Sequence, residues 1–238
     1  MNDLTIISVV YNDLRTNLFD LMVKSVLRYT YNAPKFIICD NGGNNLSKYV
    51  GLSNFTIIPN KNTNLRGSIA HGTALNKIML LVKSEKTAII EQDCVVLKED
   101  WDNIGNADIM AAEKMENIYH MCFMVFRSKL LIGTDFRPGN NVSVSRCFSP
   151  KEDVGWKIGN YITSSTIIKK LNFVDCKTDG AKIFKHLQSD EFQDTNGNVI
   201  ASHFGRGSNI SGKAVRKKFK SNLEQLREWK DLVRQHII

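Results

Sequence analysis

The segment AIIEQDCVVL, residues 88–97, places two carboxylates at the centre of an otherwise apolar, β-branched run, directly after a predicted strand that ends at Ile90. Successive side chains of an extended segment point to opposite faces, so Glu91 and Asp93 are expected on one side and Gln92 on the other. Two like charges in a partly buried place repel and lose hydration, and a divalent cation relieves both costs. The segment therefore predicts a Mg²⁺ or Mn²⁺ site for a diphosphate substrate, because these ions complete their shells with phosphate oxygens. The alternative is that the two acids only begin a surface loop or cap a helix.

The surrounding chain alternates between strand and helix patterns. This alternation predicts an α/β fold with a mostly parallel central sheet flanked by helices, which binds its ligand at the carboxyl ends of the strands. Asp13, Asp40 and the Glu91/Asp93 pair all follow predicted strands, so they are expected at one edge. The predicted strands are 4–10, 36–39, 55–58 and 87–90, and the predicted helices are 18–29 and 67–82.

The second half of the chain has a weaker pattern. Residues 119–126 and 173–174 are predicted strands, and 153–162 a predicted helix. No linker divides the chain, so residues 1–210 are interpreted as one domain.

Residues 211–238 are predicted to form a basic amphipathic helix, with eight basic and three acidic side chains. Its apolar stripe is expected to pack on the domain, and it consists of Phe219, Leu223, Leu226, Trp229, Val233 and Ile237. Peripheral contact with anionic lipid is the alternative.

Composition limits the class of protein. The chain of 238 residues is 42% hydrophobic and 24% charged, as in globular domains, and carries a formal net charge of +8. The net charge suits an anionic partner, but no nucleic-acid motif accompanies it, so a nucleic-acid-binding protein is only an alternative. Its five cysteines are scattered, without a C-x-x-C pair, and the N-terminus has no signal-peptide pattern. These features predict buried thiols and a cytoplasmic location.

Five stretches then occur in a characteristic order: VVYND, CDNGG, NLRGSIAHGTALN, EQD and a later ED pair. Together they resemble family 2 glycosyltransferases of the GT-A (nucleotide-diphospho-sugar transferase) fold, over roughly the first 165 residues. The resemblance implies a sugar donor linked to UDP, GDP or dTDP, bound with Mn²⁺ or Mg²⁺. It also implies a glycan, lipid-linked or protein acceptor. A nucleotidyltransferase on a similar sheet is the alternative enzyme.

The resemblance also assigns roles near the nucleotide. Val10 and Tyr11 would line the base pocket with Asp13 nearby, and Asp40 would accept a hydrogen bond from the base. Asp40 could instead cap the turn that follows it.

The same resemblance assigns the ribose and diphosphate contacts, the central motif and the metal. Asp93 would bind the metal, Glu91 would bind it directly or through water, and His203 would complete its shell. Glu91-Gln92-Asp93 departs from the family's D-x-D pattern, and ordinary packing remains the alternative for His71 and His203. The residues implied to contact the donor here are Asn64, Arg66, Gly67, His71 and Gln92.

Sugar transfer also needs a base that removes the proton of the acceptor hydroxyl. The Glu152-Asp153 pair resembles the acidic pair of inverting family members, which implies that Asp153 is the base in a single displacement with inversion. The alternative is that both acids only complement the dipole of a following helix.

Overall fold

A ten-stranded sheet with helices around it forms the body of the computed structural model, which describes residues 3–60, 67–139, 154–205 and 222–237. The spatial order of the strands is β3-β2-β1-β4-β7-β6-β8-β9-β10-β5. The strands are β1 Leu4–Val10, β2 Lys35–Asp40, β3 Phe55–Pro59, β4 Lys86–Ile90, β5 Cys94–Val96, β6 Ile109–Met115, β7 Ile118–Arg127, β8 Ile168–Asp175, β9 Asp190–Gln193 and β10 Val199–His203. The α-helices are α1 Leu18–Tyr29, α2 Gly67–Met79, α3 Ser128–Leu131 and α4 Asn222–Ile237.

The first four strands form the parallel part of the sheet. β1 pairs in parallel with both β2 and β4, and β2 pairs in parallel with β3. All seven residues of β1 are buried, because a parallel sheet is covered on both faces. The α/β class and the four predicted strands of this half are confirmed. The carboxyl ends of β1, β2 and β4 meet at one edge.

The rest of the sheet is largely antiparallel, which corrects the expectation of a mostly parallel sheet. Only β6 and β8 pair in parallel here, and the other five pairings between described strands are antiparallel. One reason is local: only Glu116 and Asn117 separate β6 from β7, and Asn117 has a positive φ of 59°. A two-residue connection of this kind forms a hairpin, which joins antiparallel strands.

The predicted helix at 153–162 is a shorter 3-10 helix, Trp156–Tyr161. Gly155 precedes it with a φ of 74°, outside the right-handed helical region, so helical geometry begins only at Trp156 among the described residues. Asp153 itself lies outside the described residues.

Helix α4 packs its apolar stripe against the domain, as the spacing predicts. Leu226, Trp229 and Val233 are buried, and the Trp229 Nε1–H donates a hydrogen bond of 3.0 Å to Ser202 Oγ in β10. Leu223, also assigned to the stripe, is 46% exposed and does not pack with it, and Phe219 lies outside the described residues. Among the described residues, no helix is both long enough and apolar enough to span a membrane.

The cysteines of the described residues are free thiols. Cys39, Cys94, Cys122 and Cys176 are all buried, as the sequence predicts. Cys147 lies outside the described residues.

Candidate active site

A cavity of about 1130 Å³ opens where the carboxyl ends of β1, β2 and β4 meet residues of β7, β9 and β10. Parallel α/β sheets bind their ligands at this edge. The cavity lies between the two halves of the sheet, so both contribute to it. Its lining includes Val9, Tyr11, Asn12, Asn41, Gly42, Gly43, Asn60, Gly67, Ser68, His71, Glu91, Asp93, Lys114, His120, Cys122, Val154, Phe173, Asp190 and His203.

The Glu91-Gln92-Asp93 turn is fixed by backbone hydrogen bonds. Glu91 N–H donates to the Cys122 carbonyl at 3.0 Å, and Cys94 N–H donates to the Glu91 carbonyl at 3.0 Å. The three residues lie in a turn between β4 and β5 rather than in the extended segment assumed from the sequence, and Glu91 and Asp93 both line the cavity, on one side as predicted. Asp93 is 7% exposed, so its carboxylate has little contact with bulk water.

Gln92 lines the cavity as well, and its amide joins the ends of two strands. Its Oε1 accepts a hydrogen bond from Tyr11 N–H at 2.7 Å, and its Nε2 donates to the Tyr11 carbonyl at 2.9 Å. These two hydrogen bonds give Gln92 a role in positioning Tyr11, and the donor contact assigned from the sequence stays a prediction, because an amide has a further lone pair and a further N–H group.

His203 reaches the acids from the end of β10. β10 pairs with β5, with His203 opposite Cys94, and Phe204 N–H donates to the Asp93 carbonyl at 2.8 Å. His203 Nε2 lies 3.5 Å from Glu91 Oε2 and 3.4 Å from Asp93 Oδ1. One ligand atom from each of the three residues lies within 4.8 Å of the others, close enough to hold one metal ion.

The opposite nitrogen of His203 is held by Asp190, a residue that the sequence interpretation missed. His203 Nδ1 lies 3.3 Å from Asp190 Oδ2, because β9 and β10 pair with these residues opposite each other. A carboxylate on the far nitrogen is the usual partner of a metal-binding histidine. The Asn196-Gly197 dipeptide between two short strand-like segments was the available signal, since it predicts a hairpin.

The electrostatics of Glu91 and His203 are coupled. Burial acts to raise the pKa of Glu91, but the hydrogen bond with His203 and the nearby His71 lower it overall. Burial acts to lower the pKa of His203, but Cys122, Asp93 and Asp190 raise it well above its ordinary value. These groups therefore form a charged cluster when no cation is bound. A bound Mn²⁺ or Mg²⁺ would displace the proton from His203 Nε2, because a histidine ligates a metal only in its neutral form.

Helix α2 begins at the cavity and contributes two of the predicted donor residues. Gly67, with a φ of 56°, and His71 both line the cavity, and His71 Nδ1 lies 3.8 Å from Glu91 Oε1. Tyr11 also lines it and is 54% exposed. Gly67, His71 and Tyr11 thus line the same cavity as the acidic cluster.

Asp13 is not among the described residues that line the cavity. It is 7% exposed, and its carboxylate accepts hydrogen bonds from Thr16 Oγ1 and from the backbone N–H groups of Leu18 and Phe19 at the start of α1. Burial raises its pKa above the ordinary value. The structure therefore gives Asp13 a helix-capping role, which corrects its assignment to the nucleotide site.

Val10 and Asp40 also differ from their assignments. The Val10 side chain lies in the core, and its neighbour Val9 faces the cavity instead, because side chains alternate along a strand. Asp40 Oδ1 accepts hydrogen bonds from Gly42 N–H at 2.8 Å and from Asn44 Nδ2 at 2.5 Å. Asp40 thus caps the turn, the alternative left open by the sequence, while Asn41 and Asn60 line the cavity.

Three predicted site residues, Asn64, Arg66 and Asp153, lie outside the described residues. Val154, the residue directly after Asp153, is described and lines the cavity.

Comparison with known proteins identifies the fold. The chain has the GT-A type of fold found in glycosyltransferases, as the sequence predicted. It is similar to the mannosyltransferase PcManGT from Pyrobaculum calidifontis, solved in complex with GDP-Man and Mn²⁺, with a TM-score of 0.50 and 13% identity over 69% of this chain and 53% of that one. It is also similar to TarS 1-349 of S. aureus, with a TM-score of 0.49 and 11% identity over 71% of this chain and 58% of that one.

The chain therefore spans little more than half the length of these two solved structures. No family model and no curated protein matches the sequence.

Proposed function

We propose that this protein is a glycosyltransferase that uses a nucleotide-diphosphate sugar and a divalent cation. The observation that carries the proposal is the Glu91, Asp93 and His203 cluster, which faces a large cavity at the ligand-binding edge of a GT-A fold. The mannosyltransferase similar in fold was solved with GDP-Man and Mn²⁺, which supports the same class of donor and cofactor.

Glu91, Asp93 and His203 would hold the cation, Mn²⁺ or Mg²⁺. The residues fit such an ion because three ligand atoms converge and Asp190 occupies the far nitrogen of His203. Once bound, the cation would neutralise the negative charge that builds on the departing nucleoside diphosphate.

The donor would extend from this cluster toward β1, β2 and the start of α2. Tyr11 offers an exposed aromatic ring at the cavity wall, where the nucleotide base would pack. Gly67 and His71 lie nearer the acidic cluster and would contact the diphosphate, with Asn64 and Arg66 assigned there by the family resemblance. The base remains one of uracil, guanine or thymine.

The reaction would be a single displacement with inversion. Asp153 would remove the proton from the acceptor hydroxyl while the oxygen of that hydroxyl bonds to the anomeric carbon of the donor sugar. The bond between the anomeric carbon and the diphosphate oxygen would break in the same step. The position of Val154 at the cavity wall supports this assignment, because it is the next residue in the chain. The acceptor is proposed to be a glycan, a lipid-linked sugar or a protein.

Peripheral contact with a membrane would have to use the charged outer face of α4. Its apolar stripe already packs on the domain, since Leu226, Trp229, Val233 and Ile237 are buried.

A cytoplasmic location of the protein remains a prediction from the sequence.

The proposal is tested by incubating the full chain with UDP-, GDP- and dTDP-linked sugars and Mn²⁺, and identifying the products. Release of the free nucleoside diphosphate, lost in the Asp93→Asn variant and kept in the exposed-site control Asp179→Asn, is the expected result. Pyrophosphate would instead indicate nucleotidyl transfer, and the absence of both products with every donor would contradict the proposal.

A further inference from the structure

Two asparagines, Asn41 and Asn60, follow β2 and β3 directly and line the cavity. Asn41 N–H donates to the Val10 carbonyl at 2.9 Å, so Asn41 continues the ladder between β1 and β2. Asn60 N–H donates to the Asp40 carbonyl at 2.9 Å and continues the ladder between β2 and β3 in the same way. The backbones of both asparagines are thereby fixed to the parallel part of the sheet.

Both side chains lie on the face of the sheet that α2 covers. Cys39 belongs to the core cluster beneath α2, and Ile58 packs against that cluster. Side chains two residues apart in a strand share a face, so Asn41 and Asn60 lie on this face as well. Tyr11 lines the cavity at the end of β1, the strand next to β2. An aromatic ring and two amides at neighbouring strand ends suit a planar ring with a polar edge.

A hydrogen bond between the two amides fixes their orientation. Asn60 Nδ2 donates to Asn41 Oδ1 at 2.7 Å, and the Cys39 thiol lies 3.9 Å from the same oxygen, within reach of a hydrogen bond to sulfur. Because both neighbours are donors, the oxygen of Asn41 faces them and its amino group does not. Within the part of the chain that the structure describes, the Asn41 amino group and the Asn60 oxygen have no protein partner.

These two groups are complementary to the edge of one kind of base. Uracil, thymine and guanine carry a carbonyl oxygen beside a ring N–H. The carbonyl would accept from Asn41 Nδ2, and the ring N–H would donate to Asn60 Oδ1. Cytosine and adenine carry the reverse, an amino group beside an unprotonated ring nitrogen. In the same place they would set donor against donor and acceptor against acceptor, which leaves all four groups without a hydrogen bond.

We propose that Asn41 and Asn60 select the nucleotide base of the donor, and that they favour uracil, thymine or guanine over cytosine and adenine. Asp40, to which the family resemblance gives this role, accepts hydrogen bonds within its own turn and is not among the described residues that line the cavity. This assignment rests on the proposed glycosyltransferase function and adds to it the residues that read the base.

The test compares pairs of nucleotides that differ mainly at this edge. The pairs are UDP with CDP, dTDP with dCDP, and GDP with ADP. Within each pair the sugar, the diphosphate and the number of rings are the same. Isothermal titration of the full chain in the presence of Mn²⁺ measures the affinities, and the ratio within a pair separates the base edge from the contacts to sugar, diphosphate and metal.

Three variants show whether the amides cause the preference. Asn41→Ala/Asn60→Ala removes both of them. Asn41→Asp has nearly the same shape and keeps an acceptor for Asn60 Nδ2, but it replaces the amino group with a second acceptor. The matched control, Asn106→Ala/Asn196→Ala, removes two exposed amides that are not among the described residues lining the cavity.

The pair that contains the tightest-binding nucleotide should show a preference of about tenfold or more for UDP, dTDP or GDP, the range of one bidentate base contact. This ratio should fall to within about threefold in the alanine variant and stay unchanged in the control. In Asn41→Asp it should fall at least as far, because the carboxylate accepts from the amino group of cytosine or adenine and repels a carbonyl oxygen.

Equal affinities within that pair, a preference for CDP, dCDP or ADP, or a wild-type ratio that survives in either site variant would overturn the base assignment. In each of those cases the binding of a nucleoside diphosphate to the wild type would leave the proposed function standing. If none of the six nucleotides binds, the proposed function fails, and the base assignment fails with it.

Discussion

Two pairs of carboxylates at the same edge of the sheet have different surroundings: Asp13 follows β1 and Asp40 ends β2, whereas Glu91 and Asp93 follow β4. The first pair accepts hydrogen bonds from nearby donors: Asp13 from the start of α1, and Asp40 from the turn that follows it. The second pair faces histidines across a cavity. Carboxylates satisfied by local donors hold the fold together, and carboxylates gathered with histidines are placed to bind a ligand.

The largest effect should come from removing a carboxylate of the second pair. Asp93→Asn should lower sugar transfer by more than about 100-fold, because it removes a ligand of the cation that neutralises the leaving group. The free energy of unfolding should change little, because the relief of repulsion with Glu91 offsets the lost attraction to His203. Donor turnover and a urea titration measure the two quantities, with Asp179→Asn as the control. If the Asp93→Asn variant kept donor turnover within about threefold of the wild type, Asp93 would not be a ligand of the catalytic cation.

Asp190 should have the next effect, on metal binding. Asp190→Asn should weaken Mn²⁺ binding by about 10–100-fold, because Asp190 orients His203 through Nδ1. Isothermal titration with Mn²⁺ measures this without relying on activity.

A double-mutant cycle shows whether Asp190 acts through His203. In the His203→Ala background, Asp190→Asn should cause little further loss of Mn²⁺ affinity. An equal loss in both backgrounds would show that Asp190 acts independently of the histidine.

The first pair should show the opposite behaviour. Asp13→Ala should lower the free energy of unfolding by about 2 kcal/mol, because it leaves buried N–H groups at the start of α1 without their acceptor. Urea denaturation measures the loss, and Mn²⁺ affinity of the folded protein should stay close to that of the wild type. If Asp13→Ala left the free energy of unfolding unchanged and weakened nucleotide binding, Asp13 would be a donor-binding residue after all.

The smallest effect on stability is expected at Asp135, a third carboxylate whose hydrogen bonds come from nearby protein groups. Hydrogen bonds from Arg137, Lys157 and Asn76 hold its pKa well below the ordinary range. Its stabilising contribution is therefore present above the ordinary aspartate pKa of about 3.9 and is lost as the pH falls toward the lower value of the folded state.

Asp135→Asn should thus cost about 1 kcal/mol of stability at pH 7, a modest value because the side chain is partly exposed to solvent. The difference from the wild type should narrow at pH 3. Urea midpoints at the two pH values measure it, and a difference that grows in acid would show that the sign is wrong.

The sequence predicted the first half of the fold and its acidic pair, because each strand and helix there is a continuous local pattern. Apolar runs marked β1 to β4, and their order placed Glu91 and Asp93 at the ligand-binding edge. The sequence could not predict which acids were already satisfied. Asp13 and Asp93 each follow an apolar run, and their hydrogen-bond partners depend on backbone geometry that no spacing reveals.

The second half of the site depends on contacts between distant segments. His203 meets Asp93 because β10 pairs with β5, about a hundred residues away in the chain. His203 was assigned by family resemblance, and Asp190 was missed because strands of four and five residues give little periodic signal. The stacking of the His120 ring on Phe173 likewise joins β7 and β8, which lie on either side of β6 in the sheet.

The most direct test of the account is the position of a bound cation. Crystals grown with Mn²⁺ and the nucleoside diphosphate that most stabilises the protein should show an anomalous peak in contact with Asp93, His203 and a diphosphate oxygen, with Glu91 bound directly or through water. A nucleotide bound in the cavity with no manganese at these residues, or manganese bound only elsewhere, would contradict the account.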